Sequence, residues 1–111
     1  MKMTPFLEYI VYGIFTHTGP VTFRPMMGGY VLYYEGNVFA LVEDEELFFK
    51  GSKEMSSWYL ERGSKRFSYT KEGKDAYLYY YLVPPEVYED RSRLLEWMDV
   101  ALAVAESRKK K

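Results

Sequence analysis

Residues 30–42, YVLYYEGNVFALV, set Gly36-Asn37 between two runs rich in β-branched and aromatic residues. Glycine followed by asparagine at such a junction predicts a two-residue type II′ hairpin, with glycine supplying the positive φ. That turn places Glu35 opposite Val38, Tyr34 opposite Phe39 and Leu32 opposite Leu41. One face then carries Tyr30, Leu32, Tyr34, Phe39 and Leu41, and the other carries Val31, Tyr33, Val38, Ala40 and Val42. Both faces are apolar, whereas a half-solvated antiparallel strand alternates apolar with polar. Leu47-Phe48-Phe49 and the run YLYYYLV, 77–83, repeat the pattern. The chain is therefore expected to build a sheet with two sides that both require cover.

At 111 residues the chain has room for one ordinary domain, 1–111, with 106–111 expected to form a basic tail that frays. Its own helices can cover one sheet face, so the second is expected to meet a partner, a second copy being the simplest. The helices are legible from periodicity. Thr4-Pro5 reads as an N-cap followed by proline at the first helical position, ahead of Phe6, Leu7, Ile10, Val11 and Ile14. Glu8 interrupts this apolar stretch and no small-residue cleavage site follows, so a core helix is expected rather than a leader peptide. That helix is expected to end near Thr16 to Gly19, before Pro20.

A short middle helix is predicted within SKEMSSWYLERG, turning Met55, Trp58 and Tyr59 inward until Gly63 ends it. Asp90 is the predicted N-cap of a final helix with an apolar stripe of Leu94, Leu95, Met98, Ala101, Leu102 and Ala105. VTFRPMM reads as a short extended segment, placed at a sheet edge by Pro25. SKRFSYTKEGKD reads as turn-rich, with 71–75 a hairpin tip, and Pro84-Pro85 breaks the strand before it. The expected fold is α+β: a two-layer arrangement of about five antiparallel strands with an N-terminal helix, a C-terminal helix and the short middle one.

The composition excludes several functions. There is no cysteine, which removes disulfides and thiolate chemistry, and the net charge of −1 lacks the basic excess of a nucleic-acid binder. Direct nucleic-acid binding and membrane insertion are not expected, and a cytoplasmic location is. Gly28-Gly29 leads into a strand, with no G-x-G-x-x-G or G-K-[ST] nearby, so the pair reads as a bend where a side chain would clash rather than as a phosphate cradle. His17, the single histidine, sits at a helix end where a partial positive charge is favourable. The acidic run 43–46 lacks the glycine and ligand spacing of a calcium loop and reads as solvated. No catalytic residue, metal ligand or cofactor site is assigned.

Twelve tyrosines make up much of a 19% aromatic content, and tyrosine suits half-buried surfaces because its ring is apolar and its hydroxyl needs a partner. Arg24 and Lys50 each stand at the end of an otherwise apolar strand. With Tyr30, Tyr33, Tyr77 and Tyr79 they form the candidate interaction or ligand surface. A tyrosine-lined pocket beside Arg24 and Lys50, serving a small ligand or a weak enzyme, is the alternative reading.

MMGGYVLYYEGNVFALVEDEELFFK, 26–50, and YYLVPPEVYEDRSRLLEWMDVALAVA, 80–105, resemble the two sequence blocks of the TfoX N-terminal domain family. Met26, Gly28, Gly29, Tyr30, Leu32, Tyr33, Phe39, Ala40, Leu41, Lys50, Tyr80, Pro84, Asp90, Leu95 and Trp97 match its pattern, while Met27 and Val31 replace its usual phenylalanine and glycine. The resemblance implies a two-layer α+β domain and a link to regulation of natural competence genes; joined to the two-sided apolar sheet, it gives the expectation of a non-enzymatic regulatory or interaction module that works by contacts of its aromatic sheet with itself or another protein. In the longer regulators a C-terminal domain follows, so a stand-alone module is expected here.

Overall fold

A computed structural model describes residues 4–16, 21–26 and 29–109. The chain opens with α1 (Pro5–Glu8), whose start is fixed as expected: the Leu7 N–H donates to Thr4 Oγ1 at 3.1 Å and proline occupies the first turn. Past Glu8 the helix widens into a π-helical turn, Tyr9–Ile14, closed by the Phe15 N–H on the Ile10 carbonyl at 3.2 Å. Leu7, Ile10, Val11 and Phe15 are buried from this segment. His17 and Gly28 lie outside the described residues.

The described residues then form six strands in one antiparallel sheet: β1 (Val21–Met26), β2 (Gly29–Tyr34), β3 (Asn37–Glu43), β4 (Glu46–Lys50), β5 (Arg66–Lys71) and β6 (Lys74–Leu82). Their spatial order is β1-β2-β3-β4-β6-β5, so β1, with Pro25, forms an edge. The strand beyond the expected five is β5. Its alternation of charged, hydroxyl and aromatic residues resembles a loop, and pairing with β6 makes it a strand. Gly29 pairs with Met26, and a Cβ there would overlap the Val42 carbonyl oxygen, so this glycine permits close approach of backbone.

The β2–β3 hairpin forms one residue earlier than predicted. Glu35 (φ 51°) and Gly36 (φ 83°) are the turn residues, a type I′ pair, and Tyr34 pairs with Asn37. Pairing then passes from Tyr33–Val38 to Leu32–Ala40, leaving Phe39 as the extra residue of a bulge. Phe39 and Ala40 both join the helix-side core, together with Leu32 and Val42, while Leu41 falls on the far side with Val31. The predicted faces are thus corrected for Leu41, Ala40 and Val42.

The helix side is the main core. Short α2 (Ser56–Leu60) buries Tyr59, as expected, and Met55 and Trp58 pack partly buried against the same cluster. After a turn of helix, α3 (Pro85–Tyr88), the long α4 (Arg91–Lys109) crosses the sheet. Asp90 caps it, Oδ1 accepting from the Arg93 N–H at 3.2 Å. Its buried stripe is Leu94, Trp97, Met98, Ala101, Val104 and Ala105; Leu95 is 41% exposed and Leu102 half-buried, against expectation. Trp97 lies outside the predicted stripe yet is buried, and it meets Trp58 and Tyr59 edge-on, at 5.4 and 5.5 Å between ring centroids. Burying a side chain of this size contributes more than any single leucine, which fixes the rotation of the helix. No helix among the described residues is long and apolar enough to cross a membrane.

Candidate functional site

The far side of the sheet holds a second cluster made of strand residues alone. Val31, Leu41, Phe48 and Phe67, from β2, β3, β4 and β5, are only 4–8% exposed, with half-buried Tyr33, Val38, Tyr80 and Leu82 packed against them. Among the described residues, no helical residue takes part. Register explains the row: Val31 pairs with Leu41, Leu41 with Phe48 and Phe48 with Leu82, so one line of paired residues points to one face across four strands. Phe67 closes it edge-on against Phe48, at 4.9 Å.

Two cations frame this cluster. Arg24 pairs with Val31 and therefore shares its face; its guanidinium carbon lies 5.8 Å from the Tyr33 ring centroid. Lys50 pairs with Tyr80, with its ammonium 5.9 Å from that ring. Both are cation–π contacts at the outer limit of the useful range, where each contributes on the order of 0.5 kcal/mol. Their alkyl stems extend over apolar surface while the charge stays in water. At the opposite end of β4, Glu43, Asp44 and Glu46 line a shallow hollow of about 200 Å³ with Lys65, Arg66 and Phe67. The turn here is tight, with Asp44 and Glu45 both at positive φ (53° and 59°). One face of the sheet thus has an apolar middle, Arg24 and Lys50 along one part, and at another an acidic turn whose hollow also holds Lys65 and Arg66.

The six candidate residues do not form a single patch. Arg24, Tyr33 and Lys50 share the helix-free face. Tyr30 packs on the helix side, 5.9 Å from the Phe23 ring, and Tyr79 also packs there, beneath the Arg66 guanidinium at 4.1 Å. Tyr77 is placed by its backbone, opposite Ser68. Tyr80, Leu41, Phe48 and Phe67 belong to the face and are not among the six candidates named from sequence. Counting back from a buried Tyr81 in steps of one would have assigned Tyr80 rather than Tyr79 to the far side.

Hollows of molecular size lie on the helix side. One, of about 780 Å³, runs between the 52–55 loop and α4, with Tyr79 and Val100 in its wall; another, of about 360 Å³, lies beside Tyr9. Neither is lined by Arg24 or Lys50. Among the described residues no group of three histidine, cysteine or acidic side chains is placed to hold a metal ion. The tyrosines with raised pKa belong to the helix side as well: burial pushes the Tyr59 and Tyr88 phenols up, and a hydrogen bond to the Glu89 carboxylate raises Tyr9 to about 12. Tyr59 keeps its proton and donates to the Lys50 carbonyl at 2.8 Å.

Comparison with known families decides the assignment: the TfoX N-terminal domain model matches residues 13–105, most of the chain. The chain belongs to the TfoX N-terminal domain family. It is also similar to Protein Sxy of Escherichia coli strain K12, with 25% identity over 87 residues, covering 78% of this chain and 42% of that protein. The chain therefore spans about two fifths of that relative's length. The matched span contains both family blocks, so Arg24, Tyr33, Tyr80 and Lys50 all lie within the TfoX N-terminal domain.

Proposed function

We propose that this chain is a non-enzymatic regulatory module, of the kind implied by the TfoX N-terminal domain and its link to competence, acting through protein contacts made by the helix-free face of its sheet. The observation that carries this reading is the strand-only cluster of Val31, Leu41, Phe48 and Phe67, framed by Arg24 and Lys50. Tyrosine rings beneath cations give a surface with an apolar body and a polar rim, and its tyrosines and Arg24 are of types enriched at protein interfaces.

A second copy is the partner that this surface fits on its own terms. An isologous pair buries the same patch twice. A two-fold axis running across the strands sets the Lys50 end of one sheet against the acidic turn at Asp44 of the other, so unlike charges meet along with the apolar middle. A regulatory protein partner would use the same face. The test is sedimentation velocity on the protein and on Tyr33→Asp. The protein is expected to self-associate, and the variant to lose that association by tenfold or more while keeping its melting temperature within a few degrees, since one buried charge at an interface core costs about 1.4 kcal/mol or more. A monomeric protein at all concentrations, or an unchanged profile in the variant, contradicts pairing through this face.

A further inference from the structure

The hollow of about 360 Å³ beside Tyr9 is not explained by contacts of the sheet face, since it lies where the N-terminal helix meets the α3–α4 junction. Its walls are Tyr9 and Ile14 from the π-helical turn and Tyr88, Glu89, Arg91 and Leu94 from the junction. The volume falls in the range of small-molecule sites, and the wall composition is of the same kind: apolar side chains with a few charged groups.

The charged groups are arranged unusually. The Tyr9 hydroxyl donates to Glu89 Oε2 at 2.6 Å, which fixes the carboxylate across 80 residues of sequence and leaves its second oxygen for another donor. The Tyr9 and Tyr88 rings stand 6.2 Å apart and 56° from parallel, giving the hollow two aromatic faces next to that carboxylate. Arg91 lines the same hollow, yet no ion pair joins it to Glu89 or to any other described residue. An acid and a guanidinium thus share one small, largely apolar hollow without neutralising each other. The π-helical turn strengthens the case, because this widened geometry is found disproportionately at functional sites.

We propose that this hollow binds a free α-amino acid with an apolar side chain. The ligand's ammonium group meets Glu89 against the faces of Tyr9 and Tyr88, where carboxylate and ring quadrupole both favour a cation. Its carboxylate meets the planar donors of Arg91. Its side chain lies on Ile14 and Leu94. A zwitterion satisfies both charges at once, whereas an amine or an acid alone leaves one of them without a partner.

The experiment titrates L-leucine, L-methionine and L-phenylalanine separately into the protein and follows the methyl NMR signals of Ile14 and Leu94. Saturable shifts at these methyls are expected with at least one of the three. For that amino acid, the amine lacking its carboxylate and the acid lacking its ammonium should each bind about tenfold more weakly or worse. Glu89→Gln keeps an acceptor for Tyr9 and removes the charge; Arg91→Gln removes the other. Each is expected to weaken binding about tenfold with the remaining methyl spectrum unchanged. No saturable shift with any of the three up to about 10 mM, equal binding of the amine alone, or undiminished binding by both variants overturns the proposal.

Discussion

Glu35 is one of four described residues other than glycine that adopt positive φ, at 51°, and it does so as the first residue of a type I′ turn completed by Gly36 at 83°. Side chains with a Cβ resist this region, and asparagine tolerates it best. Glu35 is exposed. Glu35→Asn is therefore expected to stabilise the protein by about 0.5–1 kcal/mol, raising the melting temperature by a few degrees in a thermal scan. Tyr81 gives the opposite case: it is fully buried, stacked on Tyr59 at 4.8 Å and 6°, and its hydroxyl has no hydrogen-bond partner among the described residues. A buried hydroxyl without a partner costs about 1–3 kcal/mol of desolvation. Tyr81→Phe is expected to leave the urea midpoint unchanged or raise it; a loss above about 1 kcal/mol would show that the hydroxyl is hydrogen-bonded after all. Gly29, the first residue of β2, was legible as a clash position because only a strand follows it. The turn was not, because Gly36-Asn37 and Glu35-Gly36 are both plausible turn pairs, and choosing between them requires the bulge at Phe39.

The elements differ in how far their own residues specify them. Leu7, Ile10, Val11, the Thr4 cap and Pro5 announce a helix locally, and the structure has one there. What local pattern does not show is its widening at Tyr9–Ile14, where Tyr9 meets Tyr88 and Glu89 from the α3–α4 junction. In the same way, β5 takes its strand character from β6, and α4 takes its rotation from Trp97 rather than from the more numerous leucines. The join between the N-terminal helix and Glu89 has a pH signature. Chiefly because its hydroxyl is hydrogen-bonded to the Glu89 carboxylate, and secondarily through partial burial and the charge of Glu89, Tyr9 has a pKa raised from 10.0 to about 12. The folded state holds this proton more tightly than the unfolded state does. Its contribution to stability is thus complete below pH 10 and is lost as pH rises through about 12. The stability difference between the protein and Tyr9→Phe should be constant in denaturation curves below about pH 10 and shrink towards pH 12; a difference that stays constant across that window would show that the hydrogen bond contributes nothing.

At the scale of the whole molecule, one sheet carries two apolar sides with different fates. Helices cover the side of Leu32, Phe39 and Phe49, while Val31, Leu41, Phe48 and Phe67 are sheltered by neighbouring strand side chains and framed by Arg24 and Lys50. The missing alternation made this two-sidedness legible from sequence. Which side Leu41, Ala40 and Val42 take was not, because the bulge at Phe39 shifts the period-two count along the rest of β3. The role proposed for the helix-free face is tested most directly by methyl NMR across a dilution series from about millimolar to micromolar concentration. If this face pairs with a second copy, the methyl signals of Val31, Val38, Leu41 and Leu82 shift with concentration, while those of Leu7, Ile10 and Leu94 in the helix-side core stay fixed. Concentration-dependent shifts confined to helix residues such as Leu60 and Leu95, or none at any site, would contradict it.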